Sequence, residues 1–173
     1  MVDIAQEYLR LALNAPVYDL AKRTPLDPAP DLSARIGRKL WLKREDLQPT
    51  YSFKLRGAYN CIRLLSDDER RQGVVTASAG NHAQGVAMSA RELAVKATIF
   101  MPCTTPEIKV RSVKAFGARI ELAGEDYDTA CEMAIEYSRQ SGGYFIHPFD
   151  NPAVIAGQGT LGVEITRQLE SAP

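Results

Sequence analysis

The chain has 173 residues, 45% of them hydrophobic and 24% charged, and its 21 Lys+Arg balance 21 Asp+Glu. That size suits one globular domain with a sizeable core, and a zero net charge gives no electrostatic footprint for nucleic acid or an anionic membrane surface. No apolar run approaches a membrane span, and the opening Met1-Val2-Asp3-Ile4-Ala5-Gln6-Glu7 lacks the basic and apolar regions of a secretory leader. Cys61, Cys103 and Cys131 are widely spaced, form no CxxC pair and accompany only two histidines. They read as reduced, buried or half-buried thiols of a cytoplasmic protein, with no metal site.

Ile4, Tyr8, Leu9 and Ala12 recur at helical spacing, so residues 3–14 form a short amphipathic helix. Pro16, Pro25, Pro28 and Pro30 then break the chain, which implies extended or looping backbone with a short strand or helix near 18–21. Asp31 or Ser33 caps a further short helix that stops at Gly37. Residues 39–43 form the first clear strand, whose apolar alternation ends in Lys43-Arg44-Glu45-Asp46. Glu45 and Asp46 read as partners for nearby basic residues rather than as an acid/base pair. Leu55, Ala58, Tyr59, Ile62 and Leu65 mark a helix over 54–65, with Ser52 as its N-cap. Residues 67–71 read as a solvated loop or helix end.

From Gly73 onward strands and helices alternate. Strands are expected at 73–77, 94–101, 118–122 and 144–146. Helices are expected after the 78–85 loop to Leu93, from Pro106 to about 116, over 126–141, and from Pro152 to about 169 behind an Asn151 cap. This rhythm implies right-handed βαβ units, hence an α/β fold with a mostly parallel open sheet and helices on both faces. Glycines at 157, 159 and 162 are dense for a helix interior and predict close packing on a neighbour. Met88, Met101 and Met133 read as core fillers.

Two stretches carry chemistry. Lys54 falls in the first turn of its helix, where partial positive charge disfavours a second cation. An amine that must be neutral to attack a carbonyl gains from that place and from burial; a solvated lysine behind a cap is the plainer reading. Ser78-Ala79-Gly80-Asn81-His82-Ala83-Gln84-Gly85 bridges a strand to a helix. Its small residues let an anion approach the free N–H groups of the helix start, at the strand edge where parallel sheets bind ligands. Asn81 adds an amide for a phenolate or carboxylate. His82 reads as a packing or supporting residue before a proton carrier.

Together, Ser52-Phe53-Lys54-Leu55-Arg56-Gly57-Ala58 and Ser78–Gly85 resemble the serine/threonine dehydratase group of fold-type II pyridoxal-phosphate enzymes, which share the tryptophan-synthase-β-like fold. The resemblance extends through Lys43-Arg44-Glu45-Asp46 and Ile155-Ala156-Gly157-Gln158-Gly159-Thr160. Within the group, Glu7-Tyr8-Leu9-Arg10 and Ala15-Pro16-Val17-Tyr18 are most similar to the biosynthetic threonine dehydratases. The resemblance covers essentially the whole chain and implies pyridoxal 5′-phosphate as cofactor. Lys54 would hold it covalently and later take the substrate's α-proton, Phe53 would pack beside its ring, and Asn81 would hydrogen-bond its 3′-oxygen. Ser78, Ala79, Gly80 and His82 would surround the carboxylate of a small amino-acid substrate. The implied reaction is β-elimination from L-threonine, or serine, giving 2-oxobutanoate and ammonia from threonine, as in isoleucine biosynthesis.

The resemblance also divides the chain. Residues 1–47 would belong to a larger cofactor domain, 48–150 would form a small α/β domain, and 151–173 would lead back to the larger one. Members of the group continue further, into a glycine-rich loop for the cofactor phosphate, a residue facing the pyridine nitrogen and, in the biosynthetic type, a regulatory domain. Gly157-Gln158-Gly159-Thr160 is not that loop, which follows it in the group. The expectation is a truncated form, weak or inactive alone, that self-associates or associates through the uncovered face. A catabolic dehydratase or serine racemase shares both motifs. A non-catalytic protein that keeps the fold and binds a partner is the alternative outside enzymology.

Overall fold

Prolines shape the first quarter of the molecule. In the computed structural model, which describes residues 3–169, Asp3 starts α1 (Ile4–Leu13) by accepting from the Ala5 N–H. A single 3₁₀ turn, Val17–Asp19, follows Pro16. β1 (Leu26–Pro28) then pairs antiparallel with β2 (Trp41–Lys43). The proline-rich stretch thus contains a strand that its own pattern hides, because it is only three residues long and is held by its partner. α2 (Pro30–Ile36) joins the two strands. Its N-cap is Ala29, with Pro30 in the first turn, so neither Asp31 nor Ser33 caps it. The Ser33 hydroxyl instead donates to Ala29 O at 2.7 Å and accepts from the Leu40 N–H at 2.9 Å. Gly37, at φ +64°, ends the helix in the left-handed conformation.

α3 (Lys54–Leu64) begins one residue later than a Ser52 cap requires, with Phe53 in the cap position. Ser52 Oγ still accepts from the Lys54 N–H, at 3.2 Å. Every residue from Leu55 to Ile62 is buried, so this helix runs through the interior rather than over it. The charged run after it is a helix, α4 (Asp67–Gln72), because Ser66 and Glu69 close a reciprocal capping box.

The main sheet contains β3 (Val74–Ala77), β4 (Ala97–Met101), β5 (Arg119–Leu122) and β6 (Tyr144–Phe145), all parallel, in the order β5-β4-β3-β6. The connections are α5 (Asn81–Glu92), α6 (Glu107–Lys114) and α7 (Tyr127–Ser141). Val74, Ile99 and Met101 point into one core with α3, α5 and α6; Val75, Ala77 and Phe100 meet Ala134 and Tyr137 of α7 on the other face. The expected α/β architecture is present. The described residues contain no helix long and apolar enough to cross a membrane. All three cysteines are free, but Cys103 is exposed rather than half-buried. Met133 is exposed as well, on the solvent side of α7, so it fills no core.

α8 (Pro152–Gln168), capped by Asn151, returns across α3. The two helices cross at Gly57 and Gly157: a Cβ on Gly157 would lie 2.5 Å from Arg56 O and 2.7 Å from Gly57 Cα. At this crossing sits a buried charge cluster. Arg56 is 0% exposed and donates twice to Glu45, at 2.8 Å each. Its other nitrogen donates to Glu164 at 2.6 Å and to Thr160 Oγ1 at 3.1 Å. Lys43 Nζ binds the second Glu164 oxygen at 2.6 Å, and Thr24 and Gln48 donate to Glu45. Two cations thus face two anions. Burial pushes both carboxyls up, but hydrogen bonds from Arg56, with Thr24 at Glu45 and Lys43 at Glu164, hold them below the ordinary carboxylate value.

Three outcomes follow from this crossing. Arg56→Met leaves the buried Glu45 without a cation and Glu164 with Lys43 alone, and is expected to lower the unfolding free energy by about 3–5 kcal/mol in urea titration. Because Glu45 and Glu164 titrate below their unfolded value, their contribution is complete above about pH 4.5 and is lost as pH falls further. The same titration repeated down to acid pH checks that direction. Gly157→Ala is expected to cost about 1–3 kcal/mol through overpacking, whereas Gly162→Ala, whose Cβ meets nothing within 4 Å, gains roughly 0.5–1 kcal/mol of helix propensity.

Candidate active site

β3 pairs with β4 on one side and with β6 on the other, so the strand order reverses at its C-terminal end. Reversal leaves a crevice there, because successive connections leave in opposite directions. The 78–80 turn leaves β3 into that crevice, and the 146–150 segment leaves β6 beside it.

Lys54 reaches the same place from a third direction. Its half-buried Nζ donates to Pro148 O at 3.0 Å and lies 5.4 Å from the centre of the Phe53 ring. Its backbone packs on α5: a Cβ on Gly85 would come within 3.1 Å of the Lys54 carbonyl. Gly85 is one helical turn beyond Asn81, so the amine-bearing and amide-bearing helix starts converge. Asn81 is exposed at the first position of α5, and Phe53 is 40% exposed.

The turn itself is half-spent. The Ser78 N–H donates to Phe100 O at 3.0 Å, and the Gly80 N–H to Ser78 Oγ at 3.2 Å. The N–H groups of Ala79, Asn81 and His82 find no backbone acceptor among the described residues. These, with the Ala83 N–H, are the free donors of the helix start; Ala79 and His82 are among the residues that the resemblance places around a carboxylate, whereas the N–H groups of Ser78 and Gly80 are already engaged. A side chain built at Gly80 would meet no atom within 4 Å, so the turn opens on space. The His82 ring faces inward: it is 3% exposed, and its Nε2 is 3.3 Å from Ile146 O.

Three features were not readable beforehand. Pro148 O is a backbone acceptor that no side-chain pattern announces. His147 Nδ1 accepts from the Phe149 and Asp150 N–H groups, at 3.3 and 2.7 Å, and so closes the 147–150 turn. Tyr51, 79% exposed, stands at φ +54° on the approach to Lys54, a conformation that a non-glycine residue adopts at a cost. The run Gly157-Gln158-Gly159-Thr160 is helical and spent on packing, since Thr160 binds Arg56 and a Cβ on Gly159 would press on Ala12.

An aldehyde-bearing aromatic cofactor requires an amine, a ring contact, an amide for its phenolic oxygen and room above a small-residue turn. Lys54 with Phe53 beside it, and Asn81 with the open Gly80 turn, stand at two helix starts that pack together through Gly85, so the residue types present fit pyridoxal phosphate at its carbonyl end.

Comparison with known proteins agrees. Residues 17–173 match the family described as pyridoxal-phosphate dependent enzyme. The chain is 54% identical over 164 residues to threonine dehydratase 1 biosynthetic, chloroplastic, of Solanum lycopersicum, covering 95% of this chain and 27% of that protein. The processed form of threonine deaminase isoform 2 from Solanum lycopersicum superposes with a TM-score of 0.92 at 50% identity, over 97% of this chain and 47% of that one. Maize serine racemase superposes with a TM-score of 0.87 at 33% identity, over 94% of this chain and 49% of that one. The fold is that of the fold-type II enzymes, and the chain spans only about a quarter to a half of these relatives. By sequence and fold, the chain belongs to the pyridoxal-phosphate dependent enzyme family.

Proposed function

We propose that this chain carries the reactive half-site of a threonine dehydratase, a lyase that removes water and then ammonia from L-threonine to leave 2-oxobutanoate. The observation that carries the reading is the Lys54 amine, held at the sheet's switch point beside the open 78–82 turn. Identity of 54% to a biosynthetic dehydratase, against 33% to a serine racemase, favours threonine and an isoleucine-forming role.

Pyridoxal phosphate, when bound, supplies the electron sink that acidifies the amino acid's α-C–H bond. The chain's residues do the rest. Lys54 Nζ, which rests on Pro148 O at 3.0 Å, would hold the cofactor covalently and would take the substrate's α-proton. Phe53 walls the crevice beside that nitrogen. Asn81 offers its exposed amide to the 3′-oxygen. The free N–H groups of Ala79, Asn81 and His82 hold the substrate carboxylate at the start of α5, and Ser78 and Gly80 shape the turn around it. Backbone donors bind without side-chain entropy to lose, which keeps the carboxylate fixed while the α-carbon reacts.

The same reading groups 1–47 with 151–173 in a larger domain and leaves 48–150 as the smaller one. The ion pair from Lys43 to Glu164 supports that grouping. Free cysteines at 61, 103 and 131 support a reducing compartment, the cytoplasm. An apolar groove of about 510 Å³ between α1 and α8, lined by Leu9, Leu13, Ile155 and Val163, supports association through this face.

Added pyridoxal phosphate should give the chain an imine absorbance band that Lys54→Ala lacks. Asn81→Ala is expected to weaken that binding about tenfold, through loss of one hydrogen bond to a charged oxygen. Identical spectra for the chain and Lys54→Ala would refute the reading. Ketoacid release from threonine, measured on the same sample, separates an enzyme from a protein that only binds. Sedimentation velocity should show association that Leu13→Asp reduces.

A further inference from the structure

His82 is a buried polar group that the reaction above uses only through its backbone. Its Nε2 lies 3.3 Å from Ile146 O. A carbonyl oxygen only accepts, so Nε2 carries the proton and donates, which leaves Nδ1 a bare acceptor. Nδ1 has no hydrogen-bond partner among the described residues. Burial drives the ring's pKa down to about 4, against the Ile146 hydrogen bond, with Lys54 and His147 as the neighbouring charges that lower it further. A neutral ring turned toward the sheet is badly placed to carry a proton for a substrate in the crevice.

Its single bond falls on the segment that receives the lysine. Ile146 O also accepts from the buried Thr76 Oγ1, at 2.8 Å. Two residues on, Pro148 O accepts from Lys54 Nζ at 3.0 Å. The link between them has little freedom. His147 is tied down by the two N–H groups that it accepts from, and the Pro148 ring fixes its own φ. A shift at Ile146 O is therefore passed on to Pro148 O.

We propose that His82 is a positioning residue for Lys54: by pinning Ile146 O it sets the 146–148 segment, and so places the carbonyl against which the lysine amine rests. Its value to the reaction rests on Lys54 being the cofactor lysine. The geometric claim does not, so the test omits the cofactor.

The chain is acylated with trace acetic anhydride at one pH, and each lysine's labelling is read by peptide mass spectrometry. An amine held on a carbonyl is shielded. A glutamine amide nitrogen reaches about where the imidazole Nε2 sits, and an asparagine nitrogen about where Nδ1 sits. His82→Gln thus keeps the donor to Ile146 O, and His82→Asn removes it. Labelling of Lys54 relative to Lys96 and Lys114 is expected to rise about tenfold in His82→Asn and to stay within about twofold of wild type in His82→Gln. A role confined to packing would not make the asparagine and glutamine variants differ at Lys54 alone. Equal Lys54 labelling in the two variants overturns the proposal. Should His82→Asn not fold, nitrogen NMR of the wild-type ring decides: an Nε2–H tautomer supports the proposal, and an Nδ1–H tautomer overturns it. Neither readout depends on pyridoxal phosphate, so failure of the imine test leaves both interpretable.

Discussion

The arrangement depends on one guanidinium. Arg56 has no exposed surface, and all its nitrogens are engaged: two with Glu45, one with Glu164 and Thr160, and one also with Lys22 O at 3.1 Å. A planar fork with fixed donor directions can bind two carboxylates from different parts of the chain only in one orientation. Glu45 comes from the segment before α3 and Glu164 from α8, so α3 is clamped from both sides. Lys54 lies two residues before that clamp. Its backbone has no freedom to drift along the helix axis, because the first turn of α3 is locked by the buried pairs.

The cluster is not an obvious source of stability. Burying four charged groups costs solvation that their mutual attraction only roughly repays, and apolar replacements of equal shape often serve as well. What the charges provide here is register. Glycine contacts at 57 and 157 let α3 and α8 approach closely but would permit sliding; the Arg56–Glu164 pair forbids it. The glycines set the distance, and the ions set the position along it. The combination is needed at this crossing because α3 must deliver Lys54 to a crevice defined by a different element, the end of β3.

How far the chain could be read from its residues varies with the kind of signal. The alternation of strands and helices after Gly73 was plain, since apolar runs, glycine stops and the Asn151 cap are local features. β1 was invisible, because Leu26-Asp27-Pro28 owes its conformation to pairing with β2. The α2 cap was misplaced because Pro30 at the helix start needs no capping side chain, while the Ser33 hydroxyl served a different bond. The Ser78–Gly85 and Lys54 stretches were legible as chemistry. Which N–H groups stay free was not, because that depends on Phe100 O reaching Ser78 across the sheet. Arg56 was legible only as a member of a motif. Its burial follows from Glu164, 108 residues away, and no local pattern connects the two.

The crevice shows why such a site is built mainly from backbone. Donors for an anion come from the first turn of α5, and the acceptor facing the lysine comes from Pro148. Both are consequences of where helices and strands end, so neither is removed by replacing the side chain of the residue that supplies it. Side chains enter where the backbone has no suitable chemistry: an amine at 54, an amide at 81 and an aromatic wall at 53. Each of these is mounted at or just before the first position of a helix whose other end is packed in the core. The cost of this design is that the site is only as precise as the relation between α3, α5 and the strand ends. That relation is what the buried guanidinium, the Gly85 contact on Lys54 and the His82 bond to Ile146 jointly hold.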